Sequence, residues 1–325
     1  MTSSRPTAQM AAILDRLAVE DAGLPDPTTL AADLGRAQAA RGNMRWNRDL
    51  PAMAAAREVH VSGEEASVAC RILVPKGSPI GTILFIHGGG WAFCDMNSHE
   101  RAARLLAIEA QANVVMCDYR LSPENPFPAG LNDCVTVWRQ LSAGEGVFAG
   151  LERPMAISGD SAGANLAMAL MLTPGIVPPD FALLFYGVYD ADFDTASYLE
   201  WSDGPGLTRG KMMRYWDWYA PQVQRTDPRV APYHASDVAL RALPPLYLNA
   251  AEIDPLRSDT ERLYARLTGL GRADRFRLHG GVVHGFMQMS LELEEARSAL
   301  ADAGAVFKAF VQQPARSDED REKAR

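Results

Sequence analysis

The spacing of apolar residues divides the chain into a helical beginning and a longer part in which strands and helices alternate. Over residues 1–45, apolar side chains recur at helical spacing on both sides of a break at Pro25 and Pro27, which predicts two helices. From Arg57, the segments REVHVS and SVACRILV alternate apolar and polar positions around a turn at Gly63, as an antiparallel hairpin does. The chain is therefore expected to enter a sheet only after its two helices.

Beyond the hairpin, short β-rich runs alternate with helical stretches. The strand candidates are TILFI at 82–86, NVVMCDY at 113–119, PMAIS at 154–158, FALLFY at 181–186 and LYLNA at 246–250. Helical spacing marks the segments at 99–111, 132–142, 162–172, 258–267 and 290–310. This alternation predicts an α/β fold, with a mostly parallel sheet, helices on both faces and an antiparallel edge formed by the hairpin.

The alternation stops between residues 186 and 244, where aromatic residues are frequent. Helical character at 209–219 predicts that an insertion at about 190–230 covers one edge of the sheet. The charged residues at 315–325 contain no such pattern and are expected to form a flexible tail.

Composition and charge exclude several classes of protein. The chain has 325 residues, of which 47% are hydrophobic and 22% charged, so most of it should fold around a large core. Its formal net charge of -8 would repel phosphate backbones, so nucleic acid is not an expected partner.

The cysteines and the apolar segments suggest a compartment. Cys70, Cys94, Cys117 and Cys134 form no CxxC pair, which favours a reducing environment and offers no metal spacing. The first residues lack a basic region followed by an apolar block, and no apolar run is long enough to span a bilayer. We therefore expect a soluble, cytoplasmic protein.

The pentapeptide GDSAG at 159–163 lies between the apolar run PMAIS and the helix-forming ANLAMALML. A sharp turn from strand to helix would expose Ser161 as a nucleophile, and the glycines on either side would remove the Cβ atoms that clash in such a turn. A glycine-rich turn with a helix-capping serine is the alternative for this motif taken alone.

The segment HGGGW at 87–91 directly follows the predicted strand TILFI. Its three glycines, Gly88, Gly89 and Gly90, leave backbone N–H groups unshielded, and these can converge on a developing oxyanion together with the N–H of Ala162. A phosphate-binding loop is the alternative, but the chain lacks both the GxxxxGKS/T and the GxGxxG spacing.

A base and an acid are available at the ends of two later strands. His284 lies in VVHGF, in a loop before the last helix, with His279 at a strand end as its rival. Asp254 follows the run LYLNAAEI and could orient the imidazole, with Glu252 and Asp259 as competitors. The chain order of serine, aspartate and histidine is the α/β-hydrolase order of a catalytic triad.

These residues resemble the hormone-sensitive-lipase-like esterases of bacterial family IV. The resemblance rests on HGGGW at 87–91, DYRLSPENPFPA at 118–129, GDSAGANLA at 159–167, DPLRSD at 254–259 and HGF at 284–286. It extends over about residues 57–310, and departs from the family pattern at Asn125 and Ser258. It implies an α/β-hydrolase fold with an eight-stranded sheet and a helical cap.

The resemblance also implies a division of the chain and of the site. N-terminal cap helices at 1–45 would precede a catalytic domain at 46–314 with its cap insertion. The oxyanion hole would be formed by Gly89, Gly90 and Ala162, and His87 would shape the loop that carries the two glycines. Gly88 is a further candidate donor.

The activity implied by the resemblance is hydrolysis of short- to medium-chain acyl esters through an acyl-enzyme, without a metal or organic cofactor. A small-molecule ester is then the expected partner, and pairing through the last strand would make a homodimer. An amidase or aryl formamidase would use the same triad, and a small-molecule receptor on this fold would lack His284. Trp91, Met212 and Trp216 are candidates for an acyl pocket, although packing of the cap onto the sheet is the favoured interpretation for Met212 and Trp216, since such residues dominate any core.

Overall fold

A computed structural model describes residues 4–312 of the protein, and its centre is one sheet of eight strands. The strands are β1 Ala55–Ser62, β2 Ser67–Val74, β3 Thr82–Ile86, β4 Asn113–Asp118, β5 Met155–Asp160, β6 Phe181–Phe185, β7 Leu246–Ile253 and β8 Arg275–Val283. Their order across the sheet is β1-β2-β4-β3-β5-β6-β7-β8. Strand β2 is antiparallel to both of its neighbours and all other pairs are parallel, which confirms the predicted α/β fold with an antiparallel edge.

Helices precede the sheet and connect its strands. They are α1 Ala8–Glu20, α2 Ala32–Asn43, α3 Met96–Ala110, α4 Ala129–Ala143, α5 Ala162–Met171, α6 Ala196–Glu200, α7 Arg209–Tyr219, α8 Asp237–Arg241, α9 Arg257–Gly269 and α10 Glu294–Val311. Short 3-10 turns lie at Pro27–Thr29, Gly146–Phe148, Gln222–Gln224, Pro232–His234 and Phe286–Met289. The insertion between β6 and β7 therefore contains α6, α7 and α8, rather than α7 alone.

Two hydrophobic cores cover the two faces of the sheet. On one face, side chains of α4, α5 and α9 such as Trp138, Leu166 and Leu263 are fully or almost fully buried. On the other, α1, α3 and α10 bury side chains such as Leu106 and Phe307. Because both faces are covered, β3, β5 and β6 are buried at every residue, and most of their residues are apolar, as their sequences indicated.

Two helix boundaries differ from the sequence prediction for identifiable reasons. Helix α3 begins at Met96 because the Asp95 carboxylate accepts from the Ser98 N–H and the Ser98 hydroxyl accepts from the Asp95 N–H. The last helix begins only at Glu294, because the predicted start falls just after the 3-10 turn at Phe286–Met289, in residues that are not yet helical. A local side-chain cap sets the first of these ends and a turn precedes the second, and apolar spacing reports neither.

The remaining sequence-based assignments concern the cap, the tail and membranes. The predicted tail at 315–325 lies outside the described residues, and the boundary between cap and catalytic domain stays a prediction. Within residues 4–312, no helix is both long enough and apolar enough to cross a bilayer.

The crossing of α3 and α10 depends on Gly304. A Cβ atom at this position would lie 2.5 Å from the carbonyl oxygen of Glu109 and 2.7 Å from its Cβ. Backbone atoms cannot rotate away as side chains can, so any larger residue would push the two helices apart.

We predict that Gly304→Ala lowers the free energy of unfolding by about 2 kcal/mol, because overpacking at this crossing outweighs the gain in helix propensity. Gly269→Ala is the matched control, since a Cβ there meets nothing within 4 Å and the variant should be unchanged or slightly more stable. Denaturant unfolding followed by circular dichroism measures both. Equal stability of the two variants would contradict the proposed packing.

Candidate active site

Ser161 lies at the turn between β5 and α5, in a backbone conformation that most residues avoid. Its φ and ψ angles are 53° and -118°. A Cβ on Gly159 would approach the Gly163 carbonyl oxygen to 2.5 Å, and a Cβ on Gly163 would overlap the Ile86 carbonyl oxygen. The two glycines are therefore required by close packing of β5, α5 and the end of β3, as a nucleophile elbow requires.

Three side chains from different parts of the sheet edge form a hydrogen-bonded row. His284 Nε2 lies 3.0 Å from Ser161 Oγ, and His284 Nδ1 lies 2.8 Å from Asp254 Oδ2. Asp254 is fully buried, and its other oxygen accepts from the Leu256 N–H at 2.8 Å. The carboxylate is thus fixed at one ring nitrogen of the imidazole, while the other ring nitrogen faces the serine.

The competing residues named from the sequence are engaged elsewhere. Glu252 accepts from the Ser4 hydroxyl and the Gly281 N–H, and Asp259 accepts from two backbone N–H groups at residues 189 and 190. His279 lies within β8, where its ring packs against Phe286 with centroids 5.2 Å apart and where burial and the charge of a neighbouring arginine lower its pKa to about 4. The structure therefore brings Asp254 and His284, and not these rivals, to Ser161.

The glycine loop after β3 presents two backbone N–H groups that are not used within residues 4–312, those of Gly89 and Gly90. Ala162 is the first residue of α5, where an N–H has no acceptor within the helix. Gly88 differs, because its N–H donates to Asp160 Oδ1 at 2.9 Å. The suggestion that Gly88 could be a further oxyanion donor is therefore wrong, since its N–H is already committed to a buried carboxylate.

His87 holds the start of this loop. Its ring stacks on Tyr119 with centroids 4.4 Å apart, its Nδ1 lies 2.8 Å from the Gly88 carbonyl oxygen, and its own carbonyl accepts from the Tyr119 hydroxyl. Burial, with a further contribution from the nearby His99, lowers the pKa of His87 to about 4. A neutral, stacked ring suits a supporting position for the loop.

A buried polar cluster lies beneath the serine. Besides the Gly88 N–H, the Asp160 carboxylate contacts His99 Nε2 at 3.3 Å and the Tyr186 hydroxyl at 3.4 Å. Burial alone would raise the pKa of Asp160, but His99 and the Gly88 N–H together lower it. His99 and Tyr186 were not found from the sequence, because neither belongs to a motif with Asp160.

A cavity of about 240 Å³ opens above the serine. Trp91 and Met212 border it, as expected for pocket residues, but Trp216 does not. Trp216 is fully buried behind Trp91, with ring centroids 4.9 Å apart, so its assignment to the pocket is corrected to packing. Residues missed from the sequence also border the cavity, namely Asn43, Trp46, Cys94, Val188, Leu207, Tyr215, Gln288 and Met289.

Across the described part of the chain, no three or more His, Cys, Asp or Glu side chains are grouped so that they could hold a metal ion.

Comparisons with known proteins agree with this geometry. Residues 83–288 match the family described as alpha/beta hydrolase fold. The chain is 33% identical over 231 residues to carboxylesterase NlhH of Mycobacterium tuberculosis, covering 70% of this chain and 72% of that protein.

Solved structures are similar over nearly the whole chain. An ester hydrolase from the metagenome of Lake Arreo has a TM-score of 0.88 and 28% identity, covering 94% of this chain and 98% of its own. A thermostable esterase from Pseudomonas putida has a TM-score of 0.89 and 27% identity, covering 97% of this chain and 100% of its own.

The lowered pKa values of His87 and His279 predict an acid-sensitive fold. An unfolded histidine binds a proton near pH 6.5, whereas these two bind one only near pH 4 in the folded protein. Between these values the unfolded state takes up more protons, so the free energy of unfolding should fall as the pH drops from about 6.5 to about 4.

Denaturant unfolding at pH 7 and pH 4.5 tests this for the wild type, His279→Gln and His60→Gln. We expect His279→Gln to lose less stability between the two pH values than the wild type, and the exposed His60 to make no difference when replaced. An identical loss in all three proteins would show that His279 does not contribute to the effect.

Proposed function

Since the chain belongs to the α/β-hydrolase family and is a serine hydrolase that acts on carboxylic esters, we propose that Ser161, His284 and Asp254 form its catalytic triad. The observation that carries this proposal is the continuous row from Asp254 Oδ2 through the imidazole to Ser161 Oγ. The relatives reported above are named as esterases, which favours esters over the amides that the same triad could cleave.

In the first step, His284 Nε2 takes the proton of the Ser161 hydroxyl as Oγ attacks the ester carbonyl carbon. The positive imidazolium that results is stabilised by Asp254, which is buried and already hydrogen-bonded to Nδ1. Because the carboxylate accepts at Nδ1, the neutral ring carries its proton there and leaves Nε2 free to act as a base.

The negative oxygen of the tetrahedral intermediate would be held by the N–H groups of Gly89, Gly90 and Ala162. Two of these lie in the loop after β3 and the third begins α5, so they approach the serine from separate elements. Each such donor typically contributes a few kcal/mol to stabilising the transition state.

Breakdown of the intermediate releases the alcohol, which receives its proton from His284, and leaves the acyl group on Ser161 Oγ. Water then repeats the sequence, with His284 as base, and returns the free serine.

The cavity supports esters with short to medium acyl chains. Its volume of about 240 Å³ is below the range of roughly 300–1,000 Å³ that is common for drug-sized ligands. Trp91 and Met212 form part of its wall, and each is at most 2% exposed. We infer that these two side chains limit the length of the acyl group.

The cysteines, the sheet edge and the net charge bear on the location and the partners of the enzyme. A cytoplasmic location is supported by four cysteines that are all unbridged. Strand β8 ends the sheet with one neighbour only, and pairing there with a second copy would form the homodimer that the family resemblance suggested. The net charge of -8 argues against nucleic acid as a partner.

Ser161→Ala should reduce kcat for p-nitrophenyl butyrate by about a thousandfold or more, because the nucleophile is removed. Ser158→Ala is the matched control, since this serine lies on β5, the strand that leads to Ser161, and its hydroxyl has no partner among the described residues. Retained activity in Ser161→Ala would reject the proposed nucleophile.

Met212→Ala should shift the preference of the enzyme towards longer acyl chains. We expect the ratio of kcat/KM for octanoate to that for butyrate to rise about tenfold, as pocket shape discriminates by this order per methylene. Met213→Ala is the control, because this side chain is 41% exposed on the same helix. A series of p-nitrophenyl esters measures the ratio, and an equal shift in both variants would remove Met212 from the acyl pocket.

A further inference from the structure

The cavity above Ser161 is lined by two chemically different sets of side chains. Its apolar and aromatic lining consists of Trp46, Trp91, Val188, Leu207, Met212, Tyr215 and Met289. Its polar lining, besides Ser161, His284 and Asp160, consists of Asn43, Cys94, His99 and Gln288. An enzyme that bound only hydrocarbon on both sides of the ester would not need this polar lining.

Three members of the polar lining already have partners within the protein. Asn43 Nδ2 donates to Cys94 Sγ at 3.5 Å, and burial raises the pKa of that thiol to about 12, so it stays neutral. The ring nitrogens of His99 contact the Ser98 hydroxyl and the Asp160 carboxylate. His99 therefore has no ring nitrogen left for a ligand, and Asn43 and Cys94 already contact each other.

Gln288 is different. It is only 8% exposed, and neither its Nε2 nor its Oε1 has a hydrogen-bond partner within residues 4–312. Among the described residues, several have a buried side-chain nitrogen or oxygen without a hydrogen-bond partner, and of these Gln288 alone borders the cavity. An amide buried without partners is unfavourable, whereas a ligand in the cavity could supply them after a rotation about the soft terminal torsion of the side chain.

The position of Gln288 indicates which part of an ester it meets. It lies on the 3-10 turn Phe286–Met289, directly after His284. His284 must protonate the leaving oxygen, so the alcohol portion of the substrate lies on the side of this segment. The acyl chain is then left to the apolar lining, which includes Trp91 and Met212.

We propose that Gln288 hydrogen-bonds a hydroxyl group on the alcohol portion of the substrate, so that the enzyme prefers partial esters of polyhydric alcohols. A hydroxyl both donates and accepts, which matches the amide. A cationic group is disfavoured, because Asp160, the one carboxylate among the described residues that border the cavity, is already paired with His99 and the Gly88 N–H. This inference rests on the proposed esterase function and specifies its substrate.

The test compares monobutyrates of ethylene glycol, 1,3-propanediol and 1,4-butanediol with n-propyl, n-butyl and n-pentyl butyrate, in which a methyl group replaces the hydroxyl. For each pair, the kcat/KM of the diol ester is divided by that of the alkyl ester. This ratio is then divided by the ratio of the rate constants for hydrolysis of the same two esters by hydroxide, which removes the intrinsic effect of the substituent. For the wild type, we expect this corrected ratio to be about three to ten for at least one pair.

Gln288→Met keeps the length of the side chain and removes its hydrogen bonds, so it should bring that corrected ratio to about one. Met287→Leu alters the same turn at a residue that does not border the cavity, makes no polar change, and should keep the wild-type ratio. A preference that survives in Gln288→Met, or that is absent from all three pairs in the wild type, overturns the proposal.

Two further measurements separate this inference from the proposed function. Calorimetry with Ser161→Ala, which should bind esters without cleaving them, should show the same preference for the diol ester, and Ser161→Ala combined with Gln288→Met should not. Thermal unfolding should show that Gln288→Met is at least as stable as the wild type, and a clear loss would mean that the amide has a structural partner and overturn the proposal. A wild type that cleaves no p-nitrophenyl ester would instead contradict the esterase function itself.

Discussion

The close approach of three backbones at Gly159 and Gly163 is the constraint on which the site depends. Any Cβ at these positions would collide with the backbone of a neighbouring segment, so β5, α5 and the end of β3 meet without intervening side chains. This contact holds Ser161 in its unusual conformation and brings the loop after β3 to the same place. The same backbone contact therefore positions both the nucleophile and the oxyanion donors.

Asp160 extends this coupling through its side chain. Its carboxylate accepts from the Gly88 N–H, contacts His99 and lies near the Tyr186 hydroxyl. The Tyr186 ring in turn packs edge-on against the His284 ring, with centroids 5.0 Å apart. A buried charge is stable only when it is paired in this way. The residue before the serine thus connects the loop that presents the oxyanion donors with the element that presents the base.

The cavity is assembled from parts of the chain that have no local relation to one another. Asn43 is the last residue of α2, Met212 and Tyr215 come from the insertion before β7, and Gln288 comes from the turn after His284. The sheet supplies a rigid row of strand ends, while these segments decide the shape and polarity above it. Substrate preference can accordingly change through the segments without disturbing the triad geometry.

The sequence by itself determined the fold, the family and the approximate position of the chemistry, because each depends on local patterns. Apolar runs marked β2 and β3 to the residue, the resemblance to hormone-sensitive-lipase-like esterases is confirmed, and Ser161, Asp254 and His284 stand at strand ends that a parallel sheet must bring together. Only the tertiary structure decided that the Gly88 N–H turns to Asp160, that Trp216 lies behind Trp91, and that Gln288 borders the cavity. The direction of an N–H or a side chain is set by neighbours distant in the chain, and no spacing along the sequence records them.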